Sequence, residues 1–285
     1  MTGGEQIIRK TGILPVICLT LFTLVLSKMA QAEIVSLNMP GKVTATAEFR
    51  PGAKDRPVIL MMHGFLQTRE FAIVKSMADE LATAGYTVLS PTLSLAVTNR
   101  KKSLDCEALH LHGMAEDIAE IQAWVAWLRG KGYQQITGFG HSFGATQLVA
   151  WAEKYPHPNF SLIAISLVGS MPHVQRNKPA PPADRKRGAV LIKAPMSFCN
   201  HYATPADKYF SYLDWNETRI LATLPKLRGS IDVILGSKDN RLVPGWDKKL
   251  QQAGIRTHLI PGANHFMDGT HEFDVLEIAL NILKK

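Results

Sequence analysis

The stretch Gly138-Phe139-Gly140-His141-Ser142-Phe143-Gly144 constrains this chain more than any other. It joins the apolar run Gln135-Ile136-Thr137 to the helix-forming run Ala145 to Trp151. Its centre reads G-x-S-x-G, a pattern suited to a strand that turns sharply into a helix. The turn holds the serine in a strained conformation and leaves no room for side chains two residues to either side. Gly140 and Gly144 fill those two places, which makes Ser142 a candidate nucleophile.

The rest of the chain supplies the strands and helices that such a corner needs. Ile34 to Leu37 and Val43 to Phe49 alternate apolar with small or polar residues around Pro40-Gly41, and read as an antiparallel hairpin. Val58-Ile59-Leu60-Met61-Met62 is an uninterrupted apolar run, the mark of a central strand buried on both faces. Phe71, Val74, Met77 and Leu81 have helical spacing up to Gly85, and Tyr86 to Leu89 is strand-like. The segment Ser90 to Leu111 reads as a long polar loop. Met114, Ile118, Ile121, Val125 and Leu128 then stripe one face of a helix ending at Gly130.

Beyond the Ser142 corner, Leu162 to Val168, Ile231 to Leu235 and Thr257 to Ile260 read as strands. Asp247 falls on a helix, and Phe273, Leu276, Leu280 and Leu283 stripe a last one. Its acids Glu272 and Asp274 at the start and Lys284-Lys285 at the end match the helix dipole. No internal repeat is visible. Strands alternating with helices imply a mostly parallel sheet covered on both faces. The roughly 60 residues between Ser170 and Ser230 exceed a short crossover and read as an inserted helical unit, a lid over residues 171–229. Its first part, through Pro181-Pro182 and Arg185-Lys186-Arg187, is proline-rich and basic. Its second part carries Phe198, Tyr202, Tyr209, Phe210, Tyr212 and Trp215.

The first residues have the layout of a secretory signal. Arg9 and Lys10 precede an apolar run from Ile13 to Leu26, and Ala30-Gln31-Ala32 offers the small residues a signal peptidase accepts. Removal of residues 1–32 would leave 33–285 as an exported domain, periplasmic or secreted. The apolar run falls short of the ~20 residues a spanning helix needs, so no stable membrane span is expected after cleavage. The residues before Cys18, Pro15-Val16-Ile17, lack the small residue that precedes a lipid-modified cysteine. The formal charge of +8 favours anionic surfaces in general, but its one dense cluster, Arg185 to Arg187, reads as a solvated loop rather than a nucleic-acid face.

Cys106 and Cys199 remain after export, and in an oxidising compartment a pair usually closes. Such a bridge would enclose ~90 residues and contribute about 4–5 kcal/mol in the chain-entropy model. The alternatives are two separate buried thiols, or a zinc site drawing on Cys106, His110, His112, Cys199 and His201. His110-Leu111-His112 is not a usual paired-ligand spacing, so the disulfide is preferred and no metal is expected.

A serine hydroxyl needs a histidine to take its proton and an acid to hold that histidine in the right tautomer. His265, in Pro261-Gly262-Ala263-Asn264-His265, follows the last strand; Asp239, in Gly236-Ser237-Lys238-Asp239-Asn240, follows the strand from Ile231. Both lie at carboxyl ends of strands, where active sites of parallel sheets assemble. Asp232 falls at the wrong end of its strand. An anionic intermediate also needs donors. The Phe143 N–H offers one, and Phe65 in His63-Gly64-Phe65-Leu66 a second, with Leu66 in reserve. His63 and His141 read as structural neighbours of the two turns.

The order Ser142, Asp239, His265, with His63-Gly64 upstream and an insertion after the strand that follows the nucleophile, resembles the α/β-hydrolase superfamily. The resemblance implies an α/β fold with an eight-stranded, mostly parallel sheet, helices on both faces and a lid. It also implies hydrolysis through an acyl-enzyme, without a cofactor, of a small-molecule ester or related acyl substrate. Serine at 142 disfavours the branches that use aspartate there. A carboxylic-ester hydrolase is the first reading; an S33-type peptidase, an amidase or a thioesterase are alternatives of the same chemistry. A ligand-binding module that keeps the fold without catalysis is the alternative of a different class.

Overall fold

The computed structural model describes residues 1, 2, 32–169 and 190–284. Most of the expected signal segment, the Pro181-Pro182 and Arg185 to Arg187 stretch and Lys285 lie outside the described residues. Among the described residues, no helix is long and apolar enough to cross a membrane.

The chain opens with β1 (Glu33–Asn38) and β2 (Thr44–Arg50), paired antiparallel as the alternating pattern predicts. β3 (Val58–Met62) is buried along its whole length, and α1 (Ala72–Thr83) comes after it. β4 (Val88–Thr92) begins later and runs further than the sequence suggests, through Pro91. The proline fits because β4 pairs with β3 only at Val88 and Leu89. Pro91 faces Ala47 of β2 on one side and has no ladder to serve on the other. α2 (Met114–Gly130) buries its predicted stripe, and Glu116 reaches back to accept from the Gly113 N–H at its start.

β5 (Ile136–His141) leads through Ser142 into α3 (Phe143–Lys154), and β6 (Phe160–Ile165) is the next strand. β6 stops before Val168 because Ser166 turns into the left-handed region, at φ 49°. The described part of the insertion, expected to be helical, begins with a hairpin, β7 (Leu191–Met196) and β8 (Cys199–Pro205), before α4 (Ala206–Leu213) and α5 (Glu217–Thr223). Lys193 and Pro195 break the apolar signal of β7, while aromatic residues at helical spacing dominate the sequence from Tyr202 to Trp215. The fold closes with β9 (Ile231–Gly236), α6 (Trp246–Gln252), β10 (Arg256–Ile260) and α7 (His271–Leu283).

Eight strands form one sheet in the order β1-β2-β4-β3-β5-β6-β9-β10, with β4 to β10 parallel and the first two pairings antiparallel. Successive residues of β3 serve opposite faces. Val58, Leu60 and Met62 pack among residues of α2 and α3 such as Trp124 and Leu148, whereas Ile59 and Met61 pack with Val74 of α1 and Val275 of α7. The sheet is therefore clad by helices on both sides, and only its strand ends are left to carry chemistry.

Candidate active site

The corner after β5 is as tight as its glycines imply. Ser142 sits at φ 57° and ψ −126°, outside the regions an L-residue prefers, with its N–H donating to the Ile165 carbonyl at 2.8 Å. A Cβ at Gly144 would come within 2.3 Å of the His63 carbonyl oxygen, and one at Gly140 within 2.6 Å of Ala145. Any side chain at either place would push the serine out of position.

The structure brings three of the sequence-predicted residues into one hydrogen-bonded line. His265 Nε2 lies 2.9 Å from Ser142 Oγ, and His265 Nδ1 lies 2.8 Å from Asp239 Oδ2. A carboxylate can only accept, so Nδ1 carries the proton and Nε2 is free to take one from the serine. The other Asp239 oxygen accepts from the Arg241 N–H at 2.9 Å, which fixes the carboxylate in the turn after β9. All three groups are buried; Ser142 retains 9% of its surface. Asp232 stands at the opposite end of β9, bonded to Arg256 and His258 of β10, and has no part in this line.

Two further side chains hold His265 from behind. Its carbonyl accepts from His141 Nε2–H at 3.0 Å and from the Ser166 hydroxyl at 2.9 Å. Ser166 carried no signal in the sequence, since it marks only the point where β6 kinks. Burial, and then the neighbouring His265, push the His141 pKa down to about 3, so His141 is neutral. His63 is also pushed down to about 3, mainly by burial and then by Arg100. Its Nδ1–H donates to the Gly64 carbonyl at 2.9 Å, and its Nε2 accepts from the Leu93 N–H at 3.1 Å.

The loop after β3 passes against the serine, because a Cβ at Gly64 would sit 3.4 Å from Ser142 Cβ. The Phe65 and Phe143 rings meet edge to face at 5.5 Å, which packs the loop after β3 against the start of α3. Phe143 opens α3, so its N–H has no intrahelical acceptor and is free to point at developing charge. Leu66, at φ 57°, reverses the chain. Arg100 then stitches this loop from beneath, donating to the carbonyls of Gln67 at 2.6 Å, Lys102 at 2.9 Å, Leu93 at 2.8 Å and Leu66 at 3.3 Å.

Aromatic residues of the insertion roof the same place. Tyr202 and Tyr212 pack on Phe65 with centroids 5.5 and 5.9 Å away, Tyr212 also meets Phe143 at 5.3 Å, and Phe198 faces Phe65 at 5.9 Å. Cys106 and Cys199 are bonded to each other, with Cα atoms 5.3 Å apart. His110 stacks on Tyr202, while His112 pairs with Tyr212. A wide cleft bounded by Pro57, Gln135, Asn159 and Arg256 opens at the amino ends of the parallel strands and holds none of the predicted site residues.

A family model described as alpha/beta hydrolase fold matches residues 57–258. Among solved structures, the chain is similar to Est1E from Butyrivibrio proteoclasticus with ferulic acid bound, at 16% identity over 88% of this chain and 100% of that one, with a TM-score of 0.65. It is also similar to a thioesterase domain from the curacin biosynthetic pathway, at 18% identity over 89% and 99% of the two chains and a TM-score of 0.61. A third likeness is to dienelactone hydrolase from Anabaena variabilis, at 15% identity over 89% and 96% and a TM-score of 0.57. At these identities the likeness is one of fold. No curated protein sequence matches the chain.

Proposed function

Because the chain belongs to the α/β-hydrolase family, we propose that it is a serine hydrolase that cleaves carboxylic esters through an acyl-enzyme on Ser142. The observation that carries this reading is the line from Ser142 Oγ through His265 to Asp239, at 2.9 and 2.8 Å, with the serine held in its strained turn. As Oγ attacks the ester carbonyl, its proton passes to His265 Nε2, and Asp239 stabilises the imidazolium that forms. Charge develops on the carbonyl oxygen, where the N–H groups of Phe65 and Phe143 receive it. Collapse breaks the acyl C–O bond, and the leaving oxygen takes the proton from Nε2. His265 then deprotonates a water that attacks the acyl-serine, returning the enzyme and releasing the acid.

The aromatic roof of Phe65, Phe143, Tyr202 and Tyr212 supports an apolar acyl group on the oxyanion side of Ser142. The Cys106–Cys199 bond supports the second half of the proposal, that the protein works outside the cytoplasm after loss of residues 1–32. One experiment addresses both. A fluorophosphonate probe should label the parent but not Ser142→Ala, and the labelled species from the exported fraction should have the mass of a chain beginning at Glu33. Folded parent that refuses the probe would favour the ligand-binding module instead, and a labelled species retaining Met1 would remove the export reading.

A further inference from the structure

Beside Ser142 and His265 stands a cation that has no ion-pair partner among the described residues. Arg241 lies two residues after Asp239, and its backbone is pinned there by the hydrogen bond to Asp239 Oδ1. Its side chain leaves that turn towards the site mouth and rests on rings: the guanidinium carbon lies 4.6 Å from the Phe266 centroid and 6.0 Å from that of Phe198. Phe266 adjoins His265, their rings meeting edge to face at 5.3 Å, and Phe198 belongs to the turn between β7 and β8 and faces Phe65. The guanidinium thus stands between the histidine side of the site and the insertion.

Among the described residues, no carboxylate lies within ion-pair distance of Arg241, and its side chain donates no hydrogen bond to them. The carboxylate that acts on it through space, Asp239, already serves His265 and the Arg241 N–H. Half-burial leaves the group partly dehydrated, and ring faces compensate only in part, since they offer a cation no acceptor atoms. A planar guanidinium with its donors unused is suited to a bidentate carboxylate.

The chemistry at His265 decides which half of an ester would meet this arginine. The imidazole hands its proton to the leaving oxygen, so the alcohol portion departs past His265 and Phe266, the side on which Arg241 lies. The acyl portion lies against Phe65, Phe143 and Tyr212 on the other. We propose that Arg241 is a specificity-determining residue that receives a carboxylate carried on the alcohol portion of the substrate, making esters of hydroxy-acids or carboxyphenols the preferred class. This rests on the ester-hydrolase reading of Ser142, and it adds no step to the reaction: the acyl C–O bond breaks, water supplies the oxygen of the released acid, and the carboxylate stays on the released alcohol.

The test compares 4-carboxyphenyl acetate with its neutral analogue 4-carbamoylphenyl acetate, each kcat/KM normalised to the ester's own hydroxide rate. The parent should favour the anionic ester by about tenfold, as a desolvated charge-assisted pair provides, and the preference should shrink as salt rises. In Arg241→Gln the ratio should fall to near one, and Arg241→Lys should keep only part of it because it lacks the planar fork. A parent ratio near one, a ratio insensitive to salt, or an unchanged ratio in Arg241→Gln would each overturn the assignment. Should the glutamine variant fail to fold, the parent ratio and its salt dependence decide alone. Turnover of neither ester together with no fluorophosphonate labelling is a different failure, that of the hydrolase reading itself.

Discussion

Three histidines flank the turn at Ser142, and their hydrogen bonds separate their roles. His63 has both ring nitrogens engaged by backbone groups, and His141 spends its Nε2–H on the His265 carbonyl. His265 alone offers an acceptor nitrogen to the serine hydroxyl. The different partners of His265 and His141 follow from position in the sequence, since His265 comes after a strand end and His141 precedes the serine. Asp239 was legible on the same ground. Ser166 and Arg100 were not: a serine at a strand's end and an arginine in a polar loop have no pattern that says which carbonyls they will hold. Asp239→Asn offers the sharpest test at this scale. The amide favours the wrong imidazole tautomer, so kcat should fall about 10³–10⁴-fold while thermal unfolding of the purified variant stays close to the parent's. Turnover within tenfold of the parent would mean that another acid orients His265.

The element that most shapes the site is the β7–β8 hairpin with α4, and it is fastened to the segment preceding α2 at several points. Cys199 is bonded to Cys106, the His110 N–H donates to the Ala203 carbonyl at 2.8 Å, and Thr204 Oγ1 returns a bond to the His110 carbonyl at 2.7 Å. Further along, the Tyr212 hydroxyl donates to Asp117 at 2.6 Å, and the Met114 N–H donates to Ser211 at 3.1 Å. Cys106→Ser and Cys199→Ser should each cost about 2–5 kcal/mol by denaturant unfolding, the chain-entropy value being the upper end, and the double variant should cost no more than the worse single one, because all three remove one bond. Additive losses would show that each cysteine contributes through packing alone. Central strands such as β3 could be read from the sequence because both their faces are buried and their residues uniformly apolar. The segment from Ser90 to Leu111, a loop beyond Thr92 as expected, hid its packing for the opposite reason. Its polar residues give no sign of burial, yet Ser94, Arg100 and His110 are buried, with Ser94 donating to Glu120, Arg100 to backbone carbonyls and the His110 N–H to the Ala203 carbonyl.

For the molecule as a whole, the alternation of strand and helix predicts the layered architecture, and the loops after β3, β5, β9 and β10 bring Phe65, Ser142, Asp239 and His265 to the carboxyl ends of the parallel strands. A buried carboxyl behind those ends ties global stability to pH. Burial pushes the Glu120 pKa up to about 7, although Ser94 donates to it through its N–H and hydroxyl; Asp117 raises it further and Arg100 lowers it. The unfolded chain releases this proton at the ordinary carboxylate value, so between the two values the native state binds more protons and stability falls as pH rises. A loss on the order of 2–3 kcal/mol is expected between about pH 4.5 and 7.5 from this group. Glu120→Gln should flatten that part of the profile in denaturant titrations, and an identical slope in parent and variant would place the proton elsewhere.

The bond between Cys106 and Cys199 also governs what a break in the backbone would do. Ser142 lies in sequence between the two cysteines, while Asp239 and His265 lie beyond the second. If the backbone were cut once anywhere from Ser142 to Cys199, Ser142 would fall on one polypeptide and Asp239 and His265 on another. The two pieces would still be one covalent molecule, and the reacting groups would stay tethered until a reductant released them.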